Sequence, residues 1–211
     1  GGDPALFTAR GVVQGIRAGV QVRLGLESLK GLRVAVQGLG NVGGHLCQLL
    51  ADEGAQLIVG DVDAARADRI RGRFGATIAP AETILMQDAD VVAPCATGHV
   101  ITPLMAANIR ARIIAGAANN QLSGPEVEQI LVRRGIAYVP DYVINAGGII
   151  MVAAEYRRRF DPSHVRCEIE RIGERTEEIL LIAARRGCSP VRVANEMAES
   201  LFLGTTRGGQ S

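Results

Sequence analysis

Neither sign of charge dominates this chain. Its 211 residues hold 23 Lys and Arg against 22 Asp and Glu, a formal net charge of +1. No electrostatic attraction therefore draws it to nucleic acid or to an anionic membrane. Long apolar runs are missing too: 47% of the residues are hydrophobic, yet none of the runs approaches the ~20 residues a membrane-spanning helix needs. No basic segment followed by an apolar one opens the chain, so no secretory signal is expected and the cytoplasm is the expected location. The four cysteines, Cys47, Cys95, Cys167 and Cys188, form no CxxC pair and have no histidine at ligand spacing. That excludes a disulfide framework and a zinc site, and no metal is expected. Cys47 reads as a small buried hydrophobe. His45, His99 and His164 are scattered, with no carboxylate or serine at a telling distance. Lysine is almost absent, with Lys30 alone among the 23 basic residues. The chain opens on Gly-Gly-Asp-Pro rather than on Met, so it is expected to be a piece of a longer protein.

Against these absences stands one informative stretch, Leu32 to Asp61. Leu32 to Val36 reads as a buried parallel strand, and it runs into Gly38-Leu39-Gly40-Asn41-Val42-Gly43. A helical pattern continues to about Glu53, a second apolar run covers Ala55 to Gly60, and Asp61 follows. Strand, glycine-rich turn, helix, strand, acid is the order of a dinucleotide-binding unit. Gly38 permits the tight turn, Gly40 lets backbone approach a pyrophosphate, and Gly43 lets the helix pack on the sheet. The helix N-terminus offers unpaired N–H groups to the phosphates. Asp61 stands where a carboxylate can accept hydrogen bonds from the adenosine ribose hydroxyls. The same charge repels a 2′-phosphate, which favours NAD over NADP. Arg66 stands nearby, able to contact adenine or a phosphate.

Elsewhere the pattern is regular. Helical spacing runs from Ala5 to about Leu24, with Thr8 in its first turn, and then from Ala64 to Phe74, where Gly75 ends it. A short helix is expected at 81–85, a strand at 90–93, a helix at 103–108, a strand at 112–115, a helix at 125–134 and a strand at 136–139. Strands alternating with helices predict an α/β fold, a Rossmann-type doubly wound parallel sheet. The loops after the strands, bearing Gly38, Asp61, Cys95 and Asn119, should then meet in one crevice. From Asn145 only helices are expected, at 145–156, 164–186 and 190–203, with a polar tail at 204–211. Arg157, Arg158 and Arg159 read as a solvated helix end.

Four stretches together resemble a known family: Val36-Gln37-Gly38-Leu39-Gly40-Asn41-Val42-Gly43, Ala93-Pro94-Cys95-Ala96, Ala115-Gly116-Ala117-Ala118-Asn119-Asn120-Gln121 and Pro140-Asp141-Tyr142-Val143-Ile144-Asn145-Ala146-Gly147-Gly148. They are similar to the C-terminal, NAD-binding domain of the Glu/Leu/Phe/Val amino-acid dehydrogenases, most closely the leucine, valine and phenylalanine members. The resemblance implies interconversion of an L-amino acid and its 2-oxo acid, with release of ammonia and hydride transfer to NAD. It implies that residues 38–43 cradle the pyrophosphate, Asp61 holds the ribose and Arg66 lies by the adenosine. Cys95 and Ala96 would line the dinucleotide path, and Asn119 and Asn120 would lie by the nicotinamide ribose and the substrate. Asn145 would support the nicotinamide end, Ile149 and Val152 would wall an apolar side-chain pocket, and Thr8 would face the cleft near a hinge.

Plainer readings stand beside several of these. Asn119 and Asn120 could satisfy local backbone, Asn145 could be an N-cap, and Ile149 and Val152 could be ordinary core. Two departures from the family are visible. Ala5-Leu6 follows Gly-Gly-Asp-Pro where the family often has Ser-Pro, and Ala96-Thr97-Gly98-His99 replaces the commoner Ala-Leu-Gly-Gly. The family chemistry also needs two lysines and an aspartate on an N-terminal domain across the cleft, and Lys30 matches neither lysine. No catalytic residue is assigned to this chain, which is expected to be inactive alone. The expected organisation is a hinge segment and helix at 1–25, the Rossmann domain at 26–144, and a helical segment at 145–211 packing on it. The expected partners are NAD, a small apolar and branched-chain L-amino acid or its 2-oxo acid, and further copies of the full-length chain. Two alternatives are a non-catalytic NAD-binding sensor and a glutamate-type dehydrogenase, the latter disfavoured because an acidic side chain would need a positive partner.

Overall fold

A computed structural model describes residues 2–157 and 161–207. Arg158, Arg159 and the last four residues of the expected tail lie outside the described residues. Helix α1 (Pro4–Leu24) precedes the sheet; β1 (Arg33–Gln37), α2 (Asn41–Asp52), β2 (Gln56–Gly60) and α3 (Ala64–Phe74) follow. The chain continues through β3 (Thr77–Ile78), a 3-10 turn at Ile84–Met86, β4 (Val91–Pro94), α4 (Pro103–Asn108), β5 (Ile113–Ile114), α5 (Pro125–Arg134) and β6 (Ala137–Tyr138). It closes with α6 (Asp141–Ile144), α7 (Gly147–Tyr156), α8 (Pro162–Arg186) and α9 (Pro190–Arg207).

The six strands are all parallel in the order β3-β2-β1-β4-β5-β6. This is the Rossmann order, and the chain folds as the α/β class its alternating pattern predicts. The strands read as unbroken apolar runs because both faces are covered. Val34 and Val36 point into a core shared with α1, α2 and α8, while Ala35 points the other way, towards residues of α4 and α5. Val91 and Ala93 alternate with Val92 in the same manner. Burying each of these valines contributes about 1.5–3 kcal/mol, so the sheet is fixed between its two helical layers.

Local chemistry sets the helix ends. Asp3, Asp63 and Asp161 cap α1, α3 and α8 with a carboxylate that accepts a backbone N–H, and Gly25, Gly75, Gly135 and Gly187 close helices in the left-handed region. Four features differ from the sequence reading. Helix α9 runs to Arg207, through the first four residues of the expected tail. A two-residue edge strand, β3, was not foreseen, being too short to show a period. The helix expected at 81–85 is turns and the 3-10 segment. The helix expected from Asn145 starts at Gly147, and the short α6 stands before it.

For the site, the register matters most. Gln37 at the end of β1 lies opposite Gly60 of β2 on one side and Pro94 of β4 on the other. Three loops therefore leave the sheet side by side.

Candidate functional site

The central turn is shaped by close backbone approaches. Gly38 has φ +85° and donates its N–H to the Gly60 carbonyl at 2.8 Å, and a Cβ there would meet the Cβ of Ala96 at 2.7 Å. A Cβ on Gly43 would collide with the Gly38 carbonyl oxygen and lie 3.5 Å from the Cβ of Cys95. These two glycines are demanded by the protein itself. Gly40 is not: a Cβ there would meet only the Arg66 guanidinium, 3.8 Å away. The open space before α2 accounts for Gly40, because it leaves room for a group to approach the backbone. Gly40 also supplies no side-chain cap to α2, so the first-turn N–H groups face that space. A phosphate fits there.

Asp61 braces this turn. Its side chain is only 5% exposed; one oxygen accepts the Leu39 N–H at 2.6 Å and the other accepts the Asp63 N–H at 2.8 Å. Arg66 reaches over it, with Nη1 3.9 Å from Asp61 and Nε 3.3 Å from Asp63. Leu39 is buried and Val42 half-buried in the core, so both serve the crevice through their backbone, whereas Asn41 is exposed.

A second group gathers after β4 and β5. Asn145 donates from Nδ2 to Asn119 Oδ1 at 2.6 Å, and more weakly to the Ala117 carbonyl at 3.4 Å. Asn145 ends α6 rather than capping α7, so the N-cap alternative falls. Asn119 and Asn120 are both exposed, and Asn120 has φ +52°, a conformation asparagine tolerates better than most residues. Asn120 thus has a backbone reason to be there.

Two residues of this loop were not singled out from the sequence. Gln121 is fully buried and donates from Nε2 to the Gly116 and Ala118 carbonyls at 2.7 and 3.0 Å. Asp141, 5% exposed, accepts the Gln121 N–H at 3.3 Å and the Tyr142 N–H at 2.8 Å. They fold the Asn119 loop back on itself. The only signal available was a glutamine and an acid set inside two apolar stretches.

Ile149 and Val152 are 75% and 47% exposed on α7. That removes the alternative that they are core. Thr8 donates to the Pro4 carbonyl at 3.0 Å and lies against Gly148 at the start of α7. The structure brings Thr8 to α7, whereas the Asn120 side chain makes no hydrogen bond to either group among the described residues. Lys30 is exposed before the amino end of β1, at the opposite end of the sheet.

Comparison with known proteins decides the family. The family model described as Glutamate/Leucine/Phenylalanine/Valine dehydrogenase matches residues 4–65 and 62–200. The chain belongs to this family. An L-tryptophan dehydrogenase of Nostoc punctiforme is 41% identical over 98% of this chain, which covers 58% of that relative. A leucine dehydrogenase of Geobacillus stearothermophilus is 40% identical over 94% of this chain, covering 54% of its own length. The crystal structure of the Nostoc L-tryptophan dehydrogenase superposes with a TM-score of 0.93 at 40% identity, over 98% of this chain and 63% of that one. The chain thus spans a little over half the length of the curated relatives it matches.

Within this member of the Glu/Leu/Phe/Val family, the cysteine beside the Gly38 turn is made unreactive by its surroundings. Burial pushes the Cys95 thiol up to about 12, and burial raises that of Cys47 as well. Thiolate, not thiol, reacts with alkylating agents. Iodoacetamide at about pH 8 is expected to modify the exposed Cys167 and leave Cys47 and Cys95 untouched, as read by peptide mass. Equal labelling of Cys95 and Cys167 would contradict this.

Proposed function

We propose that this chain is the NAD-binding part of an enzyme that oxidatively deaminates an L-amino acid with an apolar side chain, branched aliphatic by preference. Such an enzyme takes up water and gives the 2-oxo acid and ammonia. The observation that carries the reading is the convergence, at one end of the sheet, of an unfilled glycine turn, a buried acid and the Asn119–Asn145 pair.

In this reading residues 38–43 hold the pyrophosphate through backbone N–H groups. Asp61 receives the adenosine ribose hydroxyls, Arg66 flanks the adenosine, and Cys95 and Ala96 line the path between. Asn119 and Asn145 orient the nicotinamide ribose, and Asn120 and Thr8 face the substrate. NAD, when bound, supplies the hydride acceptor. The chain's own residues fix the cofactor's direction and exclude water from its reacting end. Ile149 and Val152 form the wall against which an apolar side chain is buried, at no cost in unpaired charge. The names of the relatives, leucine and tryptophan dehydrogenase, suit an apolar side chain.

No residue here takes the substrate proton. That role falls to lysines of a domain preceding residue 1, with 1–25 as hinge and helix, 26–144 as the cofactor domain and 145–211 as the helical segment packed on it. The full-length enzyme is a homo-oligomer in the cytoplasm. Calorimetric titration of the chain with NAD and NADP tests the cofactor half. NAD is expected to bind with roughly −8 to −4 kcal/mol, and NADP at least about tenfold more weakly. A folded chain that binds neither, or binds NADP as tightly, would overturn the reading.

A further inference from the structure

Beyond the ends of β4 and β5 the two emerging loops pair a second time. His99 N–H donates to the Asn120 carbonyl at 2.6 Å, Ile101 N–H to Gln121 at 2.9 Å, and Ser123 N–H to Ile101 at 3.1 Å. Ile101 and Leu122 form a parallel bridge. At the tip of this ribbon sit His99 and Asn120, with φ +57° and +52°, the non-glycine residues with positive φ among the described residues.

Asparagine adopts this conformation readily. A histidine held there carries strain that its surroundings must repay. They do so through two bonds, because besides its backbone bond the His99 ring places Nδ1 3.2 Å from the Leu122 carbonyl. A carbonyl only accepts, so Nδ1 is the donor in this contact. The preceding Gly98 fits so tightly that a Cβ would lie 2.5 Å from the Asn119 carbonyl and 3.2 Å from that of Asn120. Asn119 is therefore held on one side by Gly98 and His99 and on the other by Asn145, at 2.6 Å.

We infer that His99 is a positioning residue for the nicotinamide half of the cofactor site, acting by strapping the Asn119–Asn120 loop to the loop after β4. The inference rests on the NAD reading above. The adenosine half, built from the Gly38 turn and Asp61, shares no bond with this ribbon, so the two halves can be separated by probe. ADP engages only the adenosine and phosphate end, and NAD engages both.

Calorimetry with ADP and NAD on the wild-type chain, His99→Gly and His99→Ala reads the difference. His99→Gly removes the ring bond to Leu122 and the backbone strain, and His99→Ala removes the ring bond alone, the backbone bond to Asn120 remaining in both. Both variants are expected to bind NAD about tenfold more weakly, the loss of one anchoring hydrogen bond, with ADP within about twofold of wild type. His99→Gly should melt no lower than wild type, separating the effect from unfolding. Unchanged NAD affinity, or equal losses for NAD and ADP, would overturn the assignment. Wild-type chain that binds neither probe would instead overturn the cofactor reading beneath it.

Discussion

Asp61→Ala is expected to weaken NAD binding by about 30- to 150-fold, or about 2–3 kcal/mol, while leaving the chain folded. Two losses add. Hydrogen bonds to an ionised carboxylate are each worth about 1.5–3 kcal/mol, and the ribose hydroxyls would lose theirs. The Leu39 N–H, now bonded to Asp61 at 2.6 Å, would lose its partner inside the turn that must stay open for the pyrophosphate. The substitution also removes the charge that repels a 2′-phosphate, while Arg66 remains within reach of the same place. NADP affinity should therefore fall far less than NAD affinity, or rise. Calorimetric titration with both cofactors measures this, and parallel losses for NAD and NADP would show that Asp61 only braces the turn.

Gly147→Val is expected to destabilise the chain by about 3 kcal/mol. A Cβ at Gly147 would collide with the Phe7 carbonyl oxygen of α1 and lie 2.8 Å from its carbon. Backbone cannot rotate away as a side chain can, so α1 and α7 must separate. Facing it, a Cβ on Gly11 of α1 would lie 2.5 Å from the Ile144 carbonyl, so the pair of segments is closed from both sides. Gly72→Ala is the matched control. It lies on α3 with nothing within 4 Å of an added Cβ, so helix propensity alone acts and stabilisation of up to about 1 kcal/mol is expected. Urea unfolding should give the two substitutions opposite signs. A Gly147→Val chain as stable as wild type would mean that α1 and α7 are not in close contact in solution.

The sheet and the glycine turn after β1 were legible because their residues are fixed by local physics. Unbroken apolar runs mark strands covered on both faces, and Gly38 and Gly43 stand where backbone meets backbone. Two elements escaped for the opposite reason. β3 has two exposed residues, and α6 has four, too few to show a period. The fate of Ile149 and Val152 could not be read from apolarity, since core and pocket wall use the same residue types; their exposure removes the core alternative. Gln121 and Asp141 were hidden more deeply. Polar residues are ordinarily exposed, and only the folded loop reveals that these two are buried to satisfy its carbonyls and amides. Histidine at position 99 was noticed as a bulkier residue where glycine is common, but its left-handed backbone and its bond to Leu122 are tertiary facts.

The exposed pair on α7 has an evolutionary consequence. Gly38, Gly43 and Asp61 are locked, because each also shapes or braces the turn. Ile149 and Val152 support nothing beneath them, the neighbouring Met151 and Gly147 carrying the packing of that helix. Mutations at the pair are therefore close to free of a folding penalty. In the proposed reading, selectivity for the substrate side chain can change on α7 at little cost to the fold, whereas the Gly38 turn cannot change without one.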